Sequence, residues 1–295
     1  MEKRKAAVAG SFYPRYKPDL LRLIKESFEN AEFGPGEELV SLNKEGERKV
    51  IGGVSPHAGY VYSGCAAAYT FLNLFKETIP DTIIILGTDH IGYGKIGLMR
   101  EGEWETPLGN LLVDTELAQA ILDESDSIIN DNSAFMGFPF GREHNIEVQL
   151  PFIKYCEGNK QVKIVPIKVA AHDMKKLEKI SSDIANSIKK SDKDIVIIAS
   201  SDMSHNDVNS EEELYRFKEK DEKLIDGFVN LDPEKTLNPY PTPTICGRQT
   251  ITTLVLTCKK LGATEGKKLK YYTSSEKSGR IGGYCVGYFS GIIKK

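Results

Sequence analysis

The chain has 295 residues, of which 40% are hydrophobic and 27% charged, the balance of a soluble globular protein long enough to bury a sizeable core. Lys+Arg 39 against Asp+Glu 42 leaves a formal net charge of −3, so there is no electrostatic case for nucleic acid or an anionic membrane as partner. Five cysteines (Cys65, Cys156, Cys246, Cys258, Cys285) include no C-x-x-C pair, which argues against a zinc ribbon or a thioredoxin-type dithiol. With no secretory h-region and no run of about 18 apolar residues, the expected setting is a reducing cytoplasm.

Pro18–Lys25 opens an amphipathic helix with proline in its first turn. A Gly/Glu-rich loop over 34–49 follows, then a short apolar strand at Val50–Val54. Small residues mark a closely packed helix over Gly64–Lys76. Thr82–Leu86 is β-branched and apolar throughout, as in a strand buried on both faces. A helix at 115–124 precedes a strand at Val162–Val169, where Pro166 predicts an edge or a bulge. A helix over 173–190, a second buried strand at Ile195–Ala199 and a charged helix over 210–230 come next. Gln249–Leu261 reads as a helix despite its β-branched content, and Gly282–Ile293 reads as a final strand.

Strand and helix alternate without a linker. That predicts one α/β domain over 1–295, three layers deep, with a mixed or largely parallel central sheet and helices on both faces. Such sheets bind ligands beyond the carboxyl ends of their strands, so the polar residues that follow strands are the ones to inspect. His57 follows the first strand in SPHAG, His90 follows the second in LGTDH, and Asp202 and His205 follow the fourth in SSDMSH. Cys246 lies in a loop with Pro241, Pro243 and Gly247, just before a predicted helix whose N–H groups would favour a thiolate. Two imidazoles and an anionic third ligand leave coordination positions open, the pattern that holds ferrous iron; copper and zinc also accept such donors. Asp202, three residues before His205, can orient that ring and leave its other nitrogen as general acid or base.

A second cluster, Gly141-Arg142-Glu143-His144-Asn145-Ile146-Glu147-Val148, places His144 and Glu147 on one face if it is helical. Val148 stands where an H-x-x-E-H metalloprotease needs its second histidine, so that motif is rejected. Gly92-Tyr93-Gly94-Lys95-Ile96-Gly97 matches G-x-G-x-x-G, but no helix start follows it, so it is not a dinucleotide fingerprint.

The blocks AVAGSFYP at 7–14, SPHAGYVYSG at 55–64, LGTDH at 86–90, EHNIEVQLPF at 143–152, SSDMSH at 200–205 and TICGR at 244–248 together resemble the Memo family, in its order and over nearly the whole chain. That family's fold is similar to class III extradiol ring-cleaving dioxygenases, non-haem iron enzymes. The resemblance implies His57, His90 and Cys246 as metal ligands, the cysteine standing where the dioxygenases have a glutamate. It implies His205 as acid/base with Asp202 beside it, and His144 and Glu147 near the pocket. One departure is Asp89, where relatives often carry serine or asparagine. The expectation is therefore a protein with a mononuclear site holding iron(II), with copper or zinc as the other candidates. It would act as a dioxygenase-like oxidoreductase on a small aromatic molecule or, in the alternative, serve as a non-catalytic module binding a peptide or small ligand. Tyr60 and Arg248 are the expected ligand contacts. A homo-oligomer is compatible with this reading.

Overall fold

The computed structural model describes residues 2–40, 48–136, 143–241 and 244–295. In chain order it contains β1 (Lys3–Arg4), α1 (Lys17–Glu29), β2 (Val50–Ser55), α2 (Tyr60–Lys76), β3 (Thr82–Thr88), β4 (Ile96–Leu98), β5 (Glu103–Trp104), β6 (Leu111–Leu112) and α3 (Thr115–Glu124). There follow β7 (Ile129–Asn130), α4 (Ser133–Met136), a 3₁₀ turn (Glu147–Gln149) running into α5 (Leu150–Cys156), β8 (Lys163–Val169), α6 (Met174–Lys190), β9 (Ile195–Ser200) and β10 (His205–Asp207). The last elements are α7 (Glu211–Val229), α8 (Pro233–Leu237), α9 (Arg248–Lys260), β11 (Glu265–Thr273), α10 (Ser274–Ser278) and β12 (Tyr284–Lys294).

The main sheet runs β10-β12-β2-β9-β3-β8-β4-β7, with β11 also paired to β12. Its centre, β2-β9-β3-β8, is parallel, and β12 and β4 join antiparallel on either side. The molecule thus has the expected α/β architecture with a mixed sheet. The central strands are buried on both faces, which is why β3 and β9 read as uninterrupted aliphatic runs rather than as alternating ones. Gly52 and Gly53 show the two faces directly. A Cβ on Gly52 would meet Leu254 and Cys258 of α9, and one on Gly53 would meet Thr70 of α2. Helices α6 and α9 pack together on the first face, and α1, α2 and α5 pack together on the second.

Pro166 departs from expectation. β8 is neither an edge nor bulged, because it pairs with β3 in unbroken register and with β4 on its other side. The proline is tolerated because the β4 pairing ends with Leu98 opposite Ile167, where the missing N–H is not required. Helix α2 starts four residues before the predicted position, at Tyr60, directly after the His57 turn. The short strands β1, β4, β5, β6, β7 and β10, and the longer β11, go beyond the sequence expectation; β11 is half exposed and lysine-rich, with no run of apolar residues to mark it. The G-x-G-x-x-G segment runs into β4 and not into a helix, so it has no dinucleotide-binding geometry. Gly141, Arg142, Pro243 and residues 41–47 of the expected 34–49 loop lie outside the described residues.

Candidate metal centre

The carboxyl ends of β2, β3 and β9 point the same way, so the turns that follow them meet at one end of the sheet. His57 follows β2 and His90 follows β3. His144 lies in the turn that leads into α5. One ligand nitrogen from each of these three rings lies within 4.8 Å of the others, the only such group of three His, Cys, Asp or Glu among the described residues. The rings of His90 and His144 stack at 5.1 Å, and His57 stands edge-on to both. Cys246 reaches the cluster from the loop before α9, with Sγ 3.3 Å from His57 Nε2.

The hydrogen bonds around His57 determine its tautomer. The Ser200 hydroxyl donates to the Asn145 carbonyl at 2.6 Å and accepts from Gln149 Nε2 at 2.9 Å. Its remaining lone pair faces His57 Nδ1 at 3.0 Å, so Nδ1 carries the hydrogen. Nε2 is then left with its lone pair on the side of Cys246, as metal ligation by imidazole requires. Burial holds His57 down to about 3, with the neighbouring imidazoles adding to the effect and Asp202 opposing it. His90, which keeps one side in solvent, is lowered to about 4 by desolvation and then by His144. Both rings are therefore neutral donors at physiological pH.

Cys246 differs from expectation. It does precede a helix, but burial and then the charge of Asp202 push its thiol up to about 12. Without a cation the sulfur is protonated; a bound metal ion would have to displace that proton. The position of the sulfur is maintained by a chain of contacts. Gly247 N–H donates to Ser201 Oγ at 3.0 Å, and Thr88 Oγ1 donates to the Cys246 carbonyl at 2.9 Å.

Asp202 joins two of the turns. Its Oδ1 accepts from the backbone N–H of His57 at 2.7 Å and of Ala58 at 3.2 Å. Its Oδ2 stands 3.8 Å from His205 Nε2, an ion-pair distance rather than a hydrogen bond. Burial alone would raise the Asp202 carboxyl, but His57 and His205 bring it below its ordinary value. For His205, burial lowers the ring while the nearby Asp202 carboxylate outweighs it, so the net shift is upward. The 203–204 segment between these two residues is clamped by Asp221, a fully buried carboxylate that accepts from Ser204 N–H at 3.1 Å and from the Tyr271 hydroxyl at 2.7 Å.

Three expected contact residues are engaged elsewhere. Glu147 is buried and bound to the N-terminal segment: it pairs with Arg4 and accepts from Ala7 N–H, Val8 N–H and the Tyr13 hydroxyl. Tyr60 packs against Tyr13 and Phe152, and its hydroxyl donates to the Val148 carbonyl at 2.5 Å. Arg248 donates to the Leu237 carbonyl at 3.0 Å. Sequence reasoning missed the polar residues that hold the cluster, namely Thr88, Asn145, Gln149, Ser200, Ser201 and Gln249. Their signal was available in part, since Thr88, Ser200 and Ser201 end or directly follow the buried strands. Asn145 donates to the Thr88 carbonyl and Gln249 to the Thr88 hydroxyl, so this one threonine ties all three walls together.

The donor set suits a transition-metal ion. It offers neutral imidazoles and one sulfur, and the 3.3 Å between Sγ and Nε2 matches the roughly 3.1–3.6 Å expected between two ligands bonded at about 2.3 and 2.1 Å to one ion.

The fold and site define a class: an α/β protein with a histidine-rich cluster at the carboxyl ends of a mainly parallel sheet. Comparison with known proteins gives the family. A family profile described as "Memo-like protein" matches residues 4–292. The chain is 38% identical to a MEMO1 family protein of Desulfurococcus amylolyticus over 98% of both chains. It is 36% identical to one of Methanobrevibacter smithii and 33% identical to one of Methanopyrus kandleri, over 99% of both chains in each case. This chain belongs to the Memo family, whose fold is extradiol dioxygenase-like.

Proposed function

We propose that this protein is a cytoplasmic metalloprotein with one mononuclear site, and that the site serves redox chemistry on a small aromatic substrate. The observation that carries this reading is the convergence of His57, His90 and His144 within 4.8 Å, with Cys246 touching His57. His57, His90 and Cys246 would hold the ion, with His144 as a fourth donor beside them. The candidates are iron(II) first, then copper and zinc, because imidazole and thiolate together suit all three. An iron(II) ion bound there would supply O₂-dependent redox chemistry. The chain's own contribution would be geometric and protonic. Asp202 fixes the His57 and His205 turns relative to each other, and His205 is half-buried and placed to hold or release a proton at Nε2.

The described cysteines are all free thiols, in keeping with a reducing compartment, and no helix among the described residues is long and apolar enough to cross a membrane. Metal analysis of protein purified without air tests the proposal. The wild type is expected to hold about one equivalent, and Cys246→Ala and His57→Ala much less. Equal content in wild type and Cys246→Ala would remove the cysteine from the ligand set, and no metal in the wild type would end the reading.

A second reading is favoured by one feature. A groove of about 490 Å³, lined by Tyr62, Arg280, Tyr284 and Tyr288 among others, runs beside the site, and the Tyr284 ring lies 6.2 Å from that of His205. Its size and aromatic lining suit a drug-sized molecule or a peptide side chain. Binding of such a ligand without turnover, unchanged by chelator, would support a non-catalytic module.

A further inference from the structure

One buried group near the cluster has no role in any of this. Lys168, on β8, is 0% exposed, and its Nζ has no hydrogen-bond partner among the described residues. A lysine in that position is costly, because burying an ammonium without acceptors removes its hydration and returns nothing. The surrounding structure makes room for it. Its cross-strand neighbours are Gly87 on β3 and Gly97 on β4, both without side chains. The space over Gly87 is filled from the next layer by Asn145 and Ile146, the two residues after His144. Parallel neighbours in register share a face, so Lys168 lies beneath the turn that carries His144. Asn145 Oδ1 is itself buried and unpartnered.

Nearby carboxylates do not account for the amine. Glu143 accepts from the N–H groups of Ile146 and Glu147 and pairs with Arg4. Asp89 accepts from the N–H groups of Ile91, Tyr93 and Gly94. Both act on Lys168 only through their charge, which opposes a burial effect that lowers the amine; Arg4 adds to that lowering. Lys168 in turn is felt at His90 and at Asp89.

We propose that Lys168 is the charged anchor for a small ligand bearing an anionic oxygen, a carboxylate or phenolate, bound between this amine and the histidine cluster. The inference deepens the proposed function and rests on it for the ligand's second contact, at the metal. It makes the preferred ligand anionic and makes Lys168 a specificity-determining residue.

The test uses ¹³C-labelled formate as the probe, titrated by NMR into metal-free and into zinc-loaded full-length protein, wild type against Lys168→Met. Methionine keeps the length of the chain and removes the charge. The expected result is that the variant binds formate on the order of ten- to a hundredfold more weakly, the worth of a hydrogen bond to a charged group. Its zinc content should match that of the wild type and its melting temperature should be equal or higher, since an uncompensated buried amine is gone. Equal formate affinity in the two proteins, or no formate binding by the wild type in either state, overturns the proposal. So does a lowered melting temperature that Asp89→Ser restores, which would make Lys168 a counter-charge for Asp89. Failure of the wild type to take up zinc would count against the metal reading alone, because the metal-free titration still decides the role of Lys168.

Discussion

Asp202 is the residue on which the two halves of the site depend. One of its oxygens holds the His57 turn and the other faces His205. The shift directions give the sign of each pH effect. His205 is raised above its ordinary value, so its pairing with Asp202 stabilises the fold fully at acidic pH, below the unfolded imidazole value, and this contribution is lost as pH rises through the folded one. Asp202 is lowered, so its contribution is present above the ordinary carboxylate range and is lost as pH falls through its folded value. Asp202→Asn should therefore lower the His205 value, because burial is then opposed only by the Thr244 carbonyl and the more distant charge of Asp221. An NMR titration of the His205 ring checks this, and an unchanged midpoint would mean that the 3.8 Å contact carries little energy. Cys246 makes a different prediction. Its thiol stays protonated in the metal-free protein, so alkylation at pH 8 should be slow at Cys246, and slower still once metal is bound.

At the scale of elements, the site depends on packing between turns that are far apart in sequence. Gly87 is the clearest case. Any side chain there would overlap Asn145 Oδ1 and Ile146, which sit directly above β3. Gly87→Ala should push the His144 turn off the sheet, costing about 1–3 kcal/mol of stability and lowering metal uptake. Chemical denaturation and metal analysis of one preparation would show both, and a variant as stable as the wild type would place Asn145 elsewhere. The N-terminal segment is attached to the same turn by Glu147. Glu147→Ala removes the nearer of the two carboxylates beside buried Arg4, Glu143 remaining at 3.9 Å, together with the acceptor of two backbone N–H groups, so a loss on the order of 3 kcal/mol is expected. Limited proteolysis should then release the segment before α1, while an unchanged digestion pattern would refute its anchoring role.

The whole molecule brings the carboxyl ends of parallel strands together, and a metal bound there should act as a brace. Ions that bind only the folded state stabilise it in proportion to the logarithm of their concentration over Kd. Loading should raise the melting temperature by a few degrees, a chelator should reverse the gain, and His57→Ala should show neither effect. A rise that persists in His57→Ala would place the ion at another site.

The aliphatic runs of β3 and β9, the strand-end histidines and the motif blocks were legible in the sequence because each is a local signal. Buried parallel strands need continuous apolar residues, and the turns after them carry the polar groups. His57, His90, His205 and Cys246 could thus be singled out one by one as residues past strands or before a helix. That His144 shares the cluster could not be read this way, because it reaches the others from the turn before α5 and only the docking of that turn over Gly87 puts it there. The same holds for Glu147, which sequence spacing put beside His144 but which packing turns toward Arg4 and the N-terminal backbone. It holds as well for Cys246, whose helix terminus is local but whose burial beside Asp202 is tertiary and decides its protonation. The sequence by itself determined the layers, the family and the identity of the strand-end donors, since these follow from composition and order along the chain. Only the tertiary structure decided which donors face one another, which carboxylates are engaged elsewhere and that Lys168 is left without an acceptor, because those facts depend on distances between segments that share no sequence proximity.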